Sequence, residues 1–161
     1  MQKITTFLWF DDKAEEAANF YTSIFENSKI GAITRYGEAA ANGSGRPAGS
    51  VMTAVFQLNG QEFIALNGGP HFHFTEAVSL VVNCETQAEI DKFWEKLSAG
   101  GQESQCGWLT DKYGLSWQIV PAKIESWLSS KDPAKADRVM AAVLQMVKLD
   151  LKKLQDAYDH D

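Results

Sequence analysis

The stretch VMTAVFQL-NG-QEFIALN, running from Val51 to Asn67, holds two apolar-rich runs joined by Asn59-Gly60. An Asn-Gly connection favours the type I′ turn, which needs positive φ at both central residues. Val51–Leu58 and Gln61–Asn67 are therefore predicted to pair as an antiparallel hairpin. Upstream, Lys3–Phe10 is β-branched and aromatic and reads as a strand. Asp11-Asp12 ends it, and Asp12 with Glu15 is expected to cap a helix. Ala14, Ala17, Ala18, Tyr21, Ile24 and Phe25 follow at helical spacing. Ile30–Tyr36 alternates as a strand. Residues 37–49, rich in Gly, Ala, Asn, Ser and Pro, are expected to form a flexible loop.

After Gly68-Gly69-Pro70 the pattern restarts. Ala77–Asn83 reads as a strand, and Thr86-Gln87-Ala88-Glu89 is a capping box. Ile90, Phe93, Trp94 and Leu97 make a helical stripe that Gly100 follows. Cys106–Thr110 and Ser116–Val120 read as strands around an Asp111-Lys112-Tyr113-Gly114 turn, with a short strand over Gln102–Gln105. A shift of 73 residues lays Glu16 on Glu89, Phe20 on Phe93, Tyr21 on Trp94 and Ile24 on Leu97. The repeat implies an α+β fold of two β-α-β-β-β modules, residues 1–70 and 76–121. Residues 122–161 form a helical extension within the same domain. There Asp132-Pro133 starts one helix, with a stripe of Ala136, Val139, Met140, Val143, Leu144 and Val147. Asp150 caps a second, carrying Leu151, Leu154 and Tyr158. That stripe needs a surface, either its own domain or a partner chain.

Composition narrows the function classes. The 161 residues are 45% hydrophobic and 22% charged, with net charge −6. Such a domain buries roughly 70% of its unfolded surface and needs no disulfide or metal to hold a core. An acidic chain lacks the positive footprint of a nucleic-acid binder and a basic face for anionic lipid. No apolar run approaches the ~18 residues of a membrane span, and the first residues do not read as a secretory signal. Cys84 and Cys106 are accordingly expected as free thiols in a reducing cytoplasm.

Several stretches together carry a family resemblance. They are Phe7-Leu8-Trp9-Phe10 with Ala14-Glu15-Glu16-Ala17 and Phe20-Tyr21; Asn67-Gly68-Gly69-Pro70; Asn83-Cys84-Glu85-Thr86-Gln87; and Cys106-Gly107-Trp108-Leu109 with Asp111 and Tyr113 through Pro121. The chain resembles the vicinal oxygen chelate superfamily of glyoxalase I, bleomycin-resistance proteins and extradiol dioxygenases. More narrowly it resembles the PhnB-like branch, often labelled a demethylubiquinone methyltransferase domain. The resemblance implies strands curling around a cleft with helices outside, and a homodimer. One scaffold hosts many chemistries, so the resemblance fixes the fold more tightly than the reaction.

Metal-dependent members supply His or Glu at four strand positions, which the resemblance places at Thr5, Ala65, Ala77 and Gln118. None is a usual metal donor. The family's metal centre is thus expected to be absent, and no cofactor is expected. His71 and His73 form an H-x-H that would share a metal if both lay on a strand, with Glu76 close in sequence. The candidate cleft residues are Trp9, Phe63, Asn67, Cys106, Trp108 and Gln118: aromatic walls, polar handles and a thiol at the rim. Cys84 opens the second helix, where the dipole would lower a thiol pKa, while burial as a packing residue is the alternative. Gly43–Gly49 opens no helix and so is no phosphate loop. The leading expectation is a metal-free cleft binding a small organic molecule. The alternatives are an enzyme with a relocated metal at His71 and His73, a non-catalytic dimerisation or binding module, and a methyltransferase-like activity as the family label implies.

Overall fold

The structure is a computed structural model and describes residues 2–160. The chain divides into two compact units, Met1–Phe74 and Thr75–Asp161.

In the first unit the elements are β1 (Thr6–Phe10), α1 (Ala14–Ile24), β2 (Lys29–Arg35), α2 (Glu38–Ser44), β3 (Val51–Leu58) and β4 (Gln61–Asn67). The strands lie in the order β1-β4-β3-β2, with β1 parallel to β4 and the rest antiparallel. The β3–β4 hairpin turns at Asn59 and Gly60, with φ of 49° and 81°, as an Asn-Gly turn requires. Helix α1 buries Ala14, Ala17, Ala18, Tyr21 and Ile24. Small residues at three of these positions let the helix lie close to β3 and β4. Tyr21 stacks on Phe56, and Phe56 on Phe63.

Two local expectations are corrected here. Residues 37–49 are not wholly loop, because Glu38–Ser44 makes two turns of helix ended by Gly45 at φ 75°. Asp12 does not cap α1. The residue before the helix is Lys13, which caps nothing with its side chain. The first helical N–H, on Ala14, donates instead to Asn67 Oδ1 at 2.8 Å.

The second unit repeats the plan with β5 (Ser79–Cys84), α3 (Gln87–Ser98), β6 (Gln102–Glu103), β7 (Trp108–Thr110) and β8 (Ser116–Pro121). Its order, β5-β8-β7-β6, and its parallel β5–β8 pair reproduce the first sheet. The α+β fold of duplicated β-α-β-β-β modules is therefore present as two four-stranded mixed sheets, each with one face under a helix. Thr86 Oγ1 caps α3 by accepting from Glu89 N, while Glu89 Oε2 accepts from Glu85 N. Strand β7 starts two residues later than its composition suggests. Cys106 and Gly107 both have positive φ, 63° and 84°, which a strand cannot accommodate.

The C-terminal helices are α4 (Ile124–Leu128), α5 (Pro133–Val143) and α6 (Leu151–Asp159). Asp132 and Asp150 cap α5 and α6 as their positions predict. Val120, Trp127, Val139, Val143, Leu149 and Leu154 close into one apolar cluster. Only Val139 and Val143 of the α5 stripe are buried there; Met140, Leu144 and Val147 are exposed. The segment between α5 and α6 ties to the sheet through Cys106 N–H to Met146 O and Gly107 N–H to Val147 O, each 2.8 Å. Gln87, at the start of α3, donates to Leu149 O and accepts from Leu151 N.

Candidate functional site

Strand alternation sorts side chains to two faces, and pairing register decides which face is covered. In the first sheet Leu8 pairs with Ala65, and Phe56 with Phe63. These residues, with Ala54 and Asn67, lie buried on the α1 side. The uncovered side carries Phe7, Trp9, Thr53, Val55, Ile64 and Leu66, half-buried or exposed. Phe63 is thus a core ring stacked on Phe56, not a cleft wall.

Asn67 is also placed in the core. Its Oδ1 takes the Ala14 N–H, and its Nδ2 donates to Val51 O at 3.1 Å. Each end of the amide is thus engaged in one structural hydrogen bond, and the residue is 5% exposed. Trp9 does lie on the uncovered face. Its indole N–H donates to Gly69 O at 2.9 Å, and its ring meets Phe72 edge-on. Gly68 makes this possible: a Cβ there would sit 2.3 Å from the indole ring.

The four family metal positions do not form a donor set. Thr5 precedes β1, with its hydroxyl accepting from Gln2 Nε2 at 3.4 Å. Ala65 is fully buried under α1, and its outward-facing neighbours Ile64 and Leu66 offer no ligand atom. Ala77 lies in an exposed turn before β5. Gln118 Nε2 donates to Ser79 Oγ at 2.9 Å. A divalent ion needs imidazole, thiolate or carboxylate donors that converge, and these residues do not fit one. His71 and His73 are exposed and outside any strand, so the same-side geometry expected of a strand H-x-H does not arise. Among the described residues no group of three or more His, Cys, Asp and Glu converges to hold a metal.

The uncovered side of the second sheet is different. Trp108 pairs with Gln118, Thr110 with Ser116, and Ser79 also with Ser116. Trp117 and Ile119 face the helix side, and the Trp117 indole donates to Asp111 Oδ2 at 2.8 Å. A pocket of about 460 Å³ is lined by Glu76, Gln105, Cys106, Trp108, Thr110 and Ser116, among others. That volume lies in the range of small-molecule sites. Two of the expected residues, Cys106 and Trp108, therefore meet in one cavity; Trp9, Phe63 and Asn67 belong to the other unit, and Gln118 lies alongside on β8.

Ser116 is not among the cleft residues expected from sequence. Ser116 is 1% exposed, and its Oγ has no hydrogen-bond partner. Buried hydroxyls are satisfied in nearly all native structures, by protein or by ordered water, and no atom of the described chain does so here. Nothing in a single sequence signals it, because the partner count of a hydroxyl depends on its neighbours in space.

Cys84 is a core residue, 1% exposed, and helix α3 begins only at Gln87. Burial pushes its thiol up to about 12, with the Glu89 and Glu85 carboxylates adding to the effect. The dipole-activated thiol does not form, and the packing alternative describes it. Cys84 also floors a larger cavity of about 780 Å³, walled by residues from Lys123 and the first turns of α6.

The family model described as 3-demethylubiquinone-9 3-methyltransferase matches residues 2–120. A PhnB protein of Bacillus cereus is 49% identical over 75% of this chain and 100% of its own, with a TM-score of 0.66. PA1353 of Pseudomonas aeruginosa is 20% identical over 74% of this chain and 96% of its own, at TM-score 0.59. The fosfomycin resistance protein FosX of Listeria monocytogenes is 13% identical over 80% and 98%, at TM-score 0.54. The last two likenesses are of fold. No curated protein matches this chain. No helix among the described residues is long and apolar enough to cross a membrane.

Proposed function

The chain belongs to the 3-demethylubiquinone-9 3-methyltransferase family, the PhnB-like branch of the vicinal oxygen chelate superfamily, and on that premise we propose that it binds a small organic molecule without a metal. The observation that carries this reading is the pocket on the second sheet, lined by Trp108 as an apolar wall and by Ser116, whose hydroxyl is buried and unpartnered. An aromatic wall with a few fixed polar groups is the usual make-up of a small-molecule site. The chemistry of Thr5, Ala65, Ala77 and Gln118 supports the metal-free part. The larger cavity is lined by Cys84, Glu85 and Gln87 within the family match and by residues of 121–123 and 150–156 beyond it, so the match covers only part of its wall.

A thermal-shift screen against a metabolite library tests the binding. A ligand at a hundredfold excess over its dissociation constant stabilises the fold by about 2.7 kcal/mol. The reading requires that Trp108→Ala and Ser116→Ala weaken the hit. A hit indifferent to both sends it back to another cavity. Metal analysis of untagged protein should find no stoichiometric zinc or nickel.

The family description favours a second reading, methyl transfer. Label passing from a methyl-sulfonium donor to an acceptor phenol, and lost with Trp108→Ala, would establish it. We also propose a homodimer that covers Met140, Leu144 and Val147, exposed apolar residues of the extension. Light scattering should return twice the chain mass of 17.8 kDa; the monomer mass at micromolar concentration rejects the dimer.

A further inference from the structure

We propose that the pocket around Ser116 selects a small organic cation, an ammonium group on an apolar or aromatic body; this rests on the small-molecule reading above. Three observations support it. The first is charge. The pocket has two carboxylate residues, Glu76 and Glu103, in its wall, and no lysine, arginine or histidine. Glu103 is partly committed, since its Oε1 accepts from Trp94 Nε1 at 2.7 Å. Glu76 is exposed and makes no ion pair with any described residue, so its charge is available. An anionic ligand here would meet like charge on desolvation, and an ammonium would meet opposite charge.

The second is Ser116, a pocket-lining residue whose hydroxyl oxygen is itself buried and without a partner. A ligand that opens the wall as it binds reaches this hydroxyl, whose lone pairs then accept from an ammonium N–H, removing the cost of burying it unpaired. The third is Trp108, half-buried in the same wall. An indole face attracts a cation and packs an apolar body. Carboxylate, hydroxyl and indole together discriminate by charge as well as by shape.

The test uses the full-length protein and three probes of one shape: benzylamine as the cation, benzyl alcohol as the neutral isostere and phenylacetate as the anion. Calorimetric titration should show benzylamine binding, with the other two at least tenfold weaker. Glu76→Gln should weaken benzylamine about tenfold and leave benzyl alcohol unchanged. Ser116→Ala should weaken benzylamine while leaving the unliganded melting temperature unchanged or raised, because it deletes an unpaired buried hydroxyl. A lowered melting temperature would mark the hydroxyl as a structural group and remove it from the site. Phenylacetate or benzyl alcohol binding as tightly as benzylamine, and lost with Trp108→Ala, overturns the cation assignment and leaves the small-molecule reading standing. Benzylamine binding that neither Trp108→Ala nor Glu76→Gln alters overturns both. No binding of benzylamine at millimolar concentration overturns the cation assignment.

Discussion

The side-chain oxygen of Asn67 accepts the backbone N–H of Ala14 at 2.8 Å, joining the end of β4 to the start of α1 across 53 residues. The same amide donates to Val51 O, and the Asn67 carbonyl accepts from the Tyr36 hydroxyl. One buried residue thus satisfies groups from a helix terminus and a neighbouring strand, where a local cap at Asp12 would have satisfied only the helix. Replacing it with alanine leaves the Ala14 N–H and the Val51 carbonyl without their bonds. We expect Asn67→Ala to lower stability by about 2–4 kcal/mol. Asn67→Asp keeps the acceptor for Ala14 but sets a buried carboxyl oxygen against the Val51 carbonyl, and should cost more. Chemical denaturation of the two variants checks the ordering; equal losses would contradict the two-ended role.

Gly68 is required by Trp9. A Cβ at Gly68 would lie 2.3 Å from the indole ring, whereas one at Gly43 meets nothing within 4 Å. Gly68→Ala should therefore displace the ring, break its bond to Gly69 O, and cost about 1–3 kcal/mol. Gly43→Ala, inside α2, should leave stability unchanged or raise it by up to ~1 kcal/mol. Thermal melts of both variants read the contrast directly.

Asp111 organises the turn before β8. Its Oδ1 accepts from Tyr113 N at 2.8 Å and Leu115 N at 3.1 Å, and its Oδ2 from the Trp117 indole. The carboxylate is buried. Asp111→Ala should cost about 2–4 kcal/mol by leaving those donors unpaired, and it should shift the fluorescence of the buried Trp117. Since Ser116 follows this turn directly, the same variant should also weaken ligand binding at the pocket.

The two cysteines should separate by reactivity. Cys84 is buried with its thiol pushed up to about 12 by burial, then by Glu89 and Glu85; Cys106 is partly exposed. At pH 8 a thiol reagent should label Cys106 in the native state and Cys84 only on unfolding. A pH effect follows with a definite sign. Above about 9, the ordinary value for this thiol, the unfolded chain ionises Cys84 while the folded chain keeps it neutral up to about 12. Stability contributed by the neutral thiol is complete below pH 9 and is lost as pH rises from there to about 12. Melting temperatures of the native protein and of Cys84→Ala should converge over that window; parallel curves would refute the shift.

Much of the secondary structure is legible locally. The Asn59-Gly60 turn, the α1 and α3 stripes and the caps at Thr86, Asp132 and Asp150 each rest on residues within a few positions of one another. Turn φ values, 3.6-residue periodicity and first-turn N–H satisfaction are short-range physics, so a single sequence carries them. The repeated order of elements extended that reading to two β-α-β-β-β modules, and both sheets have the strand order such modules imply. Tertiary structure decided what alternation leaves open. Alternation groups Phe63, Ala65 and Asn67 on one face, the pairing of Ala65 with Leu8 and Ala54 extends that face across the sheet, and α1 packs on it. A period of two has no sign, and the covered face is set by where a helix packs. The same holds for the site. Cys106 and Trp108 share a pocket with Ser116 because Cys106 and Gly107 adopt positive φ and delay β7. Whether the Ser116 hydroxyl finds a partner depends on atoms far from it along the chain, which only the folded arrangement brings near or keeps away.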